Sequence, residues 1–480
     1  MTRLQTFTLS LTLSTLIGGV CAAQQTKKND QSYFGAIFNE EKADIKAGCQ
    51  DKEAGGHAKP IKKFIPGCVE NFFHGNKGLY ASFASLPPGN GVALGAVFKD
   101  SELNTKHWRM NYQIDSQGAF NSSWTAGGLL TMRWSPAEID KAKKAKPRMV
   151  VVQGPLPKHL PEFGETETKL LINNYAFHTS LNQVAYYGIG PDTSLTNRAF
   201  FGLRETITGI NADYLLKYGF HLVGEINGRW PEIGADHGQS SPSIEQLYSE
   251  TTAPGLALQP GFLQLGEGLQ YASHLPELGE KSLLGIDADL DYGANFQEFV
   301  APSDSEFSFQ RLTLDVTNDL HLFRTFTPKN GSPTSAQFGT LELRGWLATS
   351  FVPSGHTVPF YFQPTLGGGD IDTERTLASF ADYRFRAPNA LLLRAQYEQP
   401  LPKFSFLGFV FRADAGKVGD TRDDLGLSHL RHSFGAGVTF RAGNFPYLTV
   451  MYAWAGEGTH TFADLNASAI SPGGGTASLW

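Results

Sequence analysis

The sequence is poor in cysteine and methionine, and it has no apolar run long enough to cross a bilayer as a helix. Of its 480 residues, 3 are cysteine and 5 are methionine. The clearest apolar stretch, Leu9 to Val20, falls short of the roughly 20 residues that a membrane-spanning helix needs. The lack of such helices does not exclude a membrane, because a barrel strand needs only about 10 residues with every second one apolar.

A basic stripe and the common catalytic motifs are missing as well. There are 40 Lys and Arg against 46 Asp and Glu, a net charge of −6, so nucleic acid is not expected as a partner. The sequence contains no nucleophile elbow, P-loop, HExxH pair or paired cysteine motif. His429 and His432 have no Ser or Cys partner nearby in sequence, and Asp420, Asp423 and Asp424 do not have the spacing of a calcium loop. We therefore expect that the protein is not an enzyme and that it binds no cofactor and no metal.

The N-terminal part has the pattern of an exported protein. Residues 1–23 combine Arg3, an apolar stretch and a small-residue cleavage region, which predicts a secretory signal peptide. The following segment, 24–78, is polar, and we expect it to form no packed domain of its own. Cys49 and Cys68 are the only cysteines of the predicted mature chain. In an oxidising periplasm a structural disulfide between them is favoured over a metal site, because no zinc-ligand spacing surrounds them.

Glycine, phenylalanine and tyrosine are plentiful, at 52, 35 and 16 residues. Strand patterns run from residue 79 to residue 470, ahead of a tail at 471–480, and a short helix is possible within the connection 229–259. The strands are predicted near 79–86, 91–99, 107–116, 119–133, 168–187, 198–210, 212–228, 260–273, 281–297, 306–323, 336–350, 390–401, 406–418, 430–443, 446–456 and 459–468. About 16 strands, an even number as in bacterial barrels, predict an all-β fold: a transmembrane antiparallel β-barrel.

The alternation of apolar and polar residues is clearest toward the C-terminus. Leu391, Leu393 and Tyr397 share one face of a strand, whereas Arg394 and Gln396 share the other. Period-two alternation is typical of a strand with one apolar and one polar face, as in a barrel wall around a wet lumen. The predicted lipid-facing side chains of the last strands are Leu391, Leu393, Tyr397, Phe409, Phe411, Phe434, Val438, Leu448 and Val450.

Several motifs in the last third of the chain carry a family resemblance. They are, in order, PFYFQPTLGGG, RFRAPNALL, QYEQPL, FVFRADAGKV, SFGAGVTFRAG and YAWAGEGTHTF. Together they resemble the C-terminal half of the BamA/TamA-type barrels of the bacterial outer membrane, the bacterial surface antigen family. In that family periplasmic repeat domains usually precede the barrel. Residues 24–78 are too short and too poor in βαβ pattern to form even one, so the chain is expected to lack them.

The resemblance implies that a long loop folds into the barrel lumen. The loop contains the triplet Gly367, Gly368 and Gly369, which follows an aromatic run. In the family, the tip of this loop carries an Arg-Gly pair followed by an aromatic residue. The tip arginine meets a glutamate and an aspartate on the two strands after the loop.

This chain departs from that pattern at the loop tip. The tip reads LASF, so Ala378 stands at the arginine position and Phe380 supplies an aromatic residue. The strand position expected to hold the glutamate is Gln396, and only Asp414 remains of the family's charged trio. A lone carboxylate in the lumen would be costly, which predicts a substitute cation for Asp414.

Three arginines are candidates for that substitute. Arg375 and Arg394 are the first choices, and Arg412 lies two residues before Asp414. The alternative is a solvated Asp414 beneath a loop that rests at the mouth of the barrel as a lid.

The resemblance implies a role in inserting or translocating outer-membrane protein or lipid. The mechanism implied is a weak seam between the first and last strands, which can open toward lipid and accept an incoming strand. Expected partners are outer-membrane lipid and either a separate periplasmic protein or unfolded outer-membrane clients. A passive porin-like or structural barrel is the alternative, and a lipid-modifying barrel enzyme is a weaker third hypothesis.

Overall fold

A computed structural model describes residues 78–136, 168–235, 242–272, 288–324, 338–372, 374–401, 404–442 and 445–465. The predicted signal peptide, the segment with Cys49 and Cys68, and the C-terminal tail lie outside the described residues. Within the described ranges, no helix is long and apolar enough to span a membrane.

The described chain is built around one antiparallel sheet of 16 strands, in which each strand pairs with the next along the chain. The strands of the large sheet are β1 (Gly78–Ser85), β2 (Val92–Asn104), β3 (Trp108–Ala119), β4 (Trp124–Trp134), β5 (Leu170–Tyr186), β6 (Ala199–Leu215), β7 (Phe220–Ala235), β8 (Phe262–Ala272), β9 (Ala288–Val300), β10 (Phe309–Arg324), β11 (Phe338–Phe351), β16 (Asn389–Leu401), β17 (Phe404–Gly419), β18 (Arg431–Ala442), β19 (Phe445–Ala455) and β20 (Gly458–Leu465). Between β11 and β16 lie four two-residue strands that do not join this sheet, β12 (Thr365–Leu366), β13 (Gly368–Gly369), β14 (Arg375–Thr376) and β15 (Phe385–Arg386). Strand β11 therefore pairs directly with β16. The predicted all-β class and the count of 16 strands are confirmed.

Some strand boundaries were wrong in the sequence prediction. Strand β3 runs on to Ala119, past the turn expected at 117–118, and β7 ends at Ala235 and not at residue 228. The turn expected near residue 211 lies at 216–219, so β6 is longer and β7 begins later than predicted. Tyr218 and Gly219 have φ of 59° and 82°, and the Leu216 N–H donates to the Phe220 carbonyl oxygen across the turn. Positive φ at both central positions suits a two-residue hairpin, since it matches the right-handed twist of the strands. The apolar/polar alternation of the sequence continues past residue 211 without a break, so it did not indicate where β6 ends.

The two faces of the sheet differ as the alternation predicts. In β17, Phe411 is 53% exposed while Val410 is 1% exposed, and in β16 Leu393 is 38% exposed while Leu392 is 1% exposed. Large apolar side chains therefore line the outer face, where they would meet lipid. The inner face bears the polar and charged side chains, among them Arg394.

The sheet curls around the segment that links β11 to β16. Within this segment the Tyr383 hydroxyl donates to the carbonyl oxygen of Pro88, in the β1–β2 turn, at 3.3 Å. Arg375 of the same segment lies 3.1 Å from Asp464 of β20. Because the first hairpin and the last strand contact one short segment, the wall of the sheet surrounds that segment.

Alternate connections lie at the same end of the sheet because neighbouring strands are antiparallel. The β5–β6, β7–β8, β9–β10 and β11–β16 connections therefore meet at one end, which we call the plug end. The β7–β8 connection contains the expected short helix, α1 (Ile244–Leu247). Ile244 is fully buried in the same apolar cluster as Phe307 of the β9–β10 connection. The connections thus pack over the plug end as well as joining strands.

Candidate functional site

The strongest candidate for a functional site is the β11–β16 connection, residues 352–388, which we call the plug. It contains the 3-10 turn Phe360–Phe362 and the paired strands β12 (Thr365–Leu366), β13 (Gly368–Gly369), β14 (Arg375–Thr376) and β15 (Phe385–Arg386). Its tip, 377–380, is buried, with no residue of the four more than 3% exposed. The plug therefore lies inside the curled sheet and does not rest as a lid at its mouth.

An aromatic cluster fixes the start of the plug. Phe360 lies edge-on to Phe201 of β6 at a centroid distance of 5.0 Å, and Phe362 lies edge-on to Phe262 of β8 at 4.9 Å. The Arg229 guanidinium stacks over the Phe362 ring at 4.7 Å. Edge-on pairs of this kind add to the energy of simple apolar burial. The aromatic run in the sequence thus anchors the plug to strands β6 to β8.

The glycine triplet is needed because the plug backbone turns tightly there and lies close to its neighbours. Gly367 and Gly368 have φ of 101° and 58°, which L side chains rarely adopt. A Cβ atom on Gly369 would lie 2.5 Å from Cγ of Pro88 in the β1–β2 turn. The triplet therefore allows the plug to turn tightly and to touch the first hairpin.

Backbone hydrogen bonds hold the plug tip on strands β17 and β18. The N–H of Leu377 donates to Asp414 Oδ2 at 3.0 Å, and the N–H of Ser379 donates to Ser433 Oγ at 2.9 Å. Because the donors are backbone groups, these contacts do not require particular side chains at the tip.

The tip side chains pack against apolar neighbours. Ala378 belongs to a buried cluster with Val410, Met451 and Phe462, so a methyl group fills the position where the family has an arginine. Phe380 covers Gly456 in the β19–β20 turn, where an added Cβ would lie 2.2 Å from the ring. The tip thus docks by shape and backbone hydrogen bonds.

Arg394 is the cation that stands beside Asp414. Its Nε donates to Asp414 Oδ1 at 2.9 Å, and both side chains are buried. Its Nη2 donates to the carbonyl oxygen of Arg375 at 2.6 Å, which ties the plug backbone to β16. A charge-assisted hydrogen bond is stronger than a neutral one, and here one guanidinium joins a wall carboxylate to the plug.

Glu374 extends this ion pair into a network. It lies 3.3 Å from Arg394 Nη1 and also pairs with Arg344 of β11. Arg344 in turn holds Asp315 of β10 with two parallel hydrogen bonds, at 3.0 and 2.8 Å. The bidentate geometry orients both groups, so strands β10, β11, β16 and β17 are linked through one plug carboxylate. Sequence reasoning missed Glu374, Arg344 and Asp315, whose pairing depends on how deeply the plug is inserted.

The other two arginine candidates have different partners. The Arg375 side chain turns to β20, where it pairs with Asp464 and stacks over the Phe462 ring at 4.2 Å. Arg412 donates to Gln396 Oε1 at 2.7 Å. The Arg375 side chain thus does not pair with Asp414. Gln396 accepts a hydrogen bond from Arg412 on the neighbouring strand β17, where the family resemblance had implied a contact with the plug tip.

A second arginine, also missed in the sequence, ties the plug to both halves of the sheet. Arg384 pairs with Glu457 in the β19–β20 turn and donates to Thr193 Oγ1 in the β5–β6 connection at 2.6 Å. Its guanidinium also stacks over the Tyr187 ring at 5.2 Å. The RFRAPNALL motif contained this residue, but nothing in the motif indicated which strands it would join.

One plug carboxyl has a strongly shifted proton affinity. Burial raises the pKa of Asp370 to about 8, and the nearby Glu374 carboxylate adds to the rise. The N–H groups of Asp372 and Glu374 donate to Asp370 Oδ1 and oppose the shift. Protonation of Asp370 is therefore linked to the packing of the plug.

The comparisons with known proteins concern the fold. No protein-family profile and no curated protein matches the sequence. BamA from Haemophilus ducreyi lacking POTRA domains 1–3 is similar in structure, with a TM-score of 0.48 and 9% identity over 88% of this chain and 80% of that one. CdiB from Escherichia coli has a TM-score of 0.48 and 11% identity over 80% of this chain. CdiB from Acinetobacter baumannii has a TM-score of 0.41 and 10% identity over 78% of this chain.

The chain spans 61% and 55% of the length of the two CdiB proteins. CdiB and BamA are barrels of the Omp85 family, and the outer membrane protein OprD from Pseudomonas aeruginosa is also among the structural neighbours. The protein has the fold of a bacterial outer-membrane β-barrel.

Proposed function

We propose that the protein is an integral barrel of the bacterial outer membrane that inserts or translocates protein or lipid, as BamA/TamA-type barrels do. The observation that supports this most directly is the anchored plug. Arg394, Arg375 and Arg384 tie it to the wall, to the last strand and to the β5–β6 connection. A barrel that conducts solute continuously needs an open lumen, whereas a gated barrel needs an element that can be held and released.

The geometry suggests how such a gate operates. The plug contacts Pro88 in the first hairpin and Asp464 in the last strand. Displacing the plug would therefore loosen both terminal strands of the sheet at once, and an exposed strand edge accepts an incoming strand through backbone hydrogen bonds.

A cross-link between plug and wall tests this function. Ser379 and Ser433 are in hydrogen-bond contact, so the Ser379→Cys and Ser433→Cys pair would join the tip to β18 by a disulfide. Vesicles with the uncross-linked barrel should accelerate insertion of an unfolded outer-membrane barrel client. The cross-linked form should lose that acceleration and regain it on reduction. Each single cysteine variant is the control, and full activity of the cross-linked barrel would contradict the proposal.

A passive porin-like or structural barrel is the second candidate, supported by a polar network on the luminal wall. In that network Glu225 accepts hydrogen bonds from Gln264 at 3.0 Å and Gln297 at 2.8 Å. Conductance in planar bilayers separates the two. A steady open channel of fixed selectivity favours the porin, whereas brief openings that become frequent in Arg394→Ala favour the gated barrel.

We also propose that the protein is not an enzyme and that its partners are outer-membrane lipid and unfolded outer-membrane clients or a periplasmic protein. The absence of a nucleophile motif in the sequence supports the first part. Turnover of phospholipid by the purified barrel would overturn it.

A further inference from the structure

We propose that the plug is a gate of two parts, in which an arm moves on a hinge at Gly367, Gly368 and Tyr383 while a base stays fixed. The base comprises residues 357–366 and 384–388, and the arm comprises residues 367–372 and 374–383, including the tip. The inference rests on the proposed gating function and states which part of the plug moves.

Each part of the plug is closed by its own two-stranded sheet. In the base, β12 pairs with β15, and Thr365 lies opposite Arg386. In the arm, β13 pairs with β14, and Gly369 lies opposite Arg375. The two sheets share no strand with each other or with the wall. The hydrogen bonds within each sheet can therefore persist while one part moves relative to the other.

The chain has left-handed backbone on both passes between base and arm. On the outgoing pass Gly367 and Gly368 have φ of 101° and 58°, and on the return pass Tyr383 has φ of 58°. Leu377, at 43°, shapes the turn at the tip. A positive φ at a bulky residue costs free energy, and such residues are common in switch regions. Hinges are short loop positions that absorb backbone rotation, which fits both passes.

Apolar burial and backbone hydrogen bonds fix the base. Phe360, Tyr361 and Phe362 are each at most 5% exposed within the aromatic cluster. The Phe360 N–H donates to the Pro254 carbonyl oxygen at 2.8 Å, and Arg311 of β10 donates to the Phe362 carbonyl oxygen. Withdrawing three aromatic side chains would expose a large apolar area to water, which is unfavourable.

Polar groups hold the arm on the wall. Two N–H groups of the tip donate to Asp414 and Ser433, and Arg394 donates to the carbonyl oxygen of Arg375 at 2.6 Å. Apolar packing on the wall is added by the tip, where Ala378 is the residue in contact with the last strands. Water can take over hydrogen bonds when they open, so their net cost is small compared with their strength.

Moving the whole plug would disturb more than moving the arm. Either motion gives up the contacts between arm and wall. The whole plug would also lose the ring contacts of Phe360 with β5 and β6, and those of Phe362 with β8, β9 and β10. The arm moving alone would instead lose its packing on the base, where Phe380 lies edge-on to Phe385 at 5.2 Å and Tyr383 joins the aromatic cluster. The base is therefore bound more extensively to the wall than to the arm.

The arm, and not the base, holds both terminal strands of the sheet. Gly369 and Tyr383 approach Pro88 in the first hairpin, and Arg375 pairs with Asp464 of the last strand. Movement of the arm would therefore free the first and last strands while the base continues to cover the plug end.

Hydrogen–deuterium exchange of the purified barrel in lipid vesicles, measured by mass spectrometry, tests this division. Two wall arginines provide matched variants, because each donates Nη2 to a plug carbonyl oxygen. Arg394 bonds to Arg375 in the arm, and Arg311 bonds to Phe362 in the base. Arg394→Met should raise exchange in peptides of 374–380 about tenfold and in peptides of 360–366 by less than about twofold. Arg311→Met should show the reverse.

Ser433→Ala is a milder arm variant, since it removes one neutral acceptor and leaves the ion pairs in place. It should raise exchange in the arm about threefold. Peptides of β6 are the internal reference, and Ser433→Ala decides the outcome if Arg394→Met also loosens β6.

Equal rises in base and arm would mean that the plug moves as one body, and an arm unchanged in both arm variants would mean that it does not move. Either result overturns the inference. Exchange does not depend on client insertion. A divided exchange pattern together with a fully active cross-linked barrel would reject the proposed function and retain the two-part plug.

Discussion

The Arg394–Asp414 pair allows a sharp test of the plug. We expect Arg394→Met and Asp414→Asn each to destabilise the folded barrel strongly, and the double variant to cost clearly less than the sum. The reason is that each single change leaves the other partner buried without its counter-charge, whereas the double change removes both charges. Asparagine keeps the shape of Asp414, and methionine keeps most of the apolar stem of Arg394.

The burial of the Arg394–Asp414 pair determines how much unfolding free energy each single variant should lose. The Asp414 side chain is fully buried and that of Arg394 is 6% exposed, so little solvent screens the interaction. Breaking a buried pair from one side costs about 3–5 kcal/mol. In Arg394→Met, Asp414 keeps the hydrogen bond from the Leu377 N–H but has no ion pair left among the described residues, so the loss should lie at the upper end of this range. In Asp414→Asn, Arg394 still pairs with Glu374, so the loss of unfolding free energy should lie at the lower end of this range. Coupling of residues in such contact is about 1–3 kcal/mol.

Urea unfolding in lipid vesicles, followed by tryptophan fluorescence, measures the four free energies of unfolding. Arg375→Ala combined with Asp414→Asn is the matched control, because the Arg375 side chain pairs with Asp464. Arg394 contacts only the backbone of Arg375, which the truncation preserves. The control pair should be additive within about 0.5 kcal/mol. Additivity of Arg394→Met with Asp414→Asn, or equal coupling in both cycles, would refute this account of the plug.

Three further predictions concern other parts of the chain. Gly369→Val should cost about 1–3 kcal/mol in unfolding free energy by pushing the plug away from Pro88, while Gly234→Ala, where an added Cβ meets nothing within 4 Å, should stay within about 0.5 kcal/mol. Burial raises the pKa of Asp370 to about 8 in the folded protein, so the folded state binds more protons than the unfolded state between about pH 4 and pH 8. Heat resistance should therefore fall as the pH rises from about 4 to 8 and level off above pH 8, and Asp370→Asn should flatten that profile. Cys49 and Cys68 should resist thiol labelling in the unreduced protein, and two free thiols would reject the predicted disulfide.

The wall of the sheet was predictable because its pattern is local. Each strand shows its two faces within a few residues, so Leu391 and Leu393 could be separated from Arg394 without knowing what surrounds them. The turn at Tyr218 and Gly219 was misplaced because the alternation runs past residue 211 without a break.

The sequence limited the arginines that could pair with Asp414 to a few candidates, but it could not show which of them does. Arg375 and Arg394 were equal candidates for Asp414, since both occur in the right region. The choice depends on insertion depth: with the Leu377 N–H on Asp414, the Arg375 side chain lies toward β20 and Arg394 faces the carboxylate. Glu374 could not be assigned for the same reason, because its two arginines come from different strands.

The insertion of the plug also decides where the lipid-facing wall can be tested cleanly. Arginine at Phe411 should cost about 2–4 kcal/mol near the bilayer midplane. Its luminal neighbour Val410 is a poor control, because Val410 packs in the apolar cluster with Ala378 of the plug tip and would also resist a charge. A better pair lies at the middle of β10. Val316 is 41% exposed on the lipid face, while Thr317 faces the lumen beside Asp315. Val316→Arg should lower the free energy of unfolding by about 2–4 kcal/mol, and Thr317→Arg by clearly less, since its charge stays in a polar lumen. Equal losses at these adjacent positions, measured by urea unfolding in vesicles, would mean that the wall does not have one lipid-facing and one luminal side.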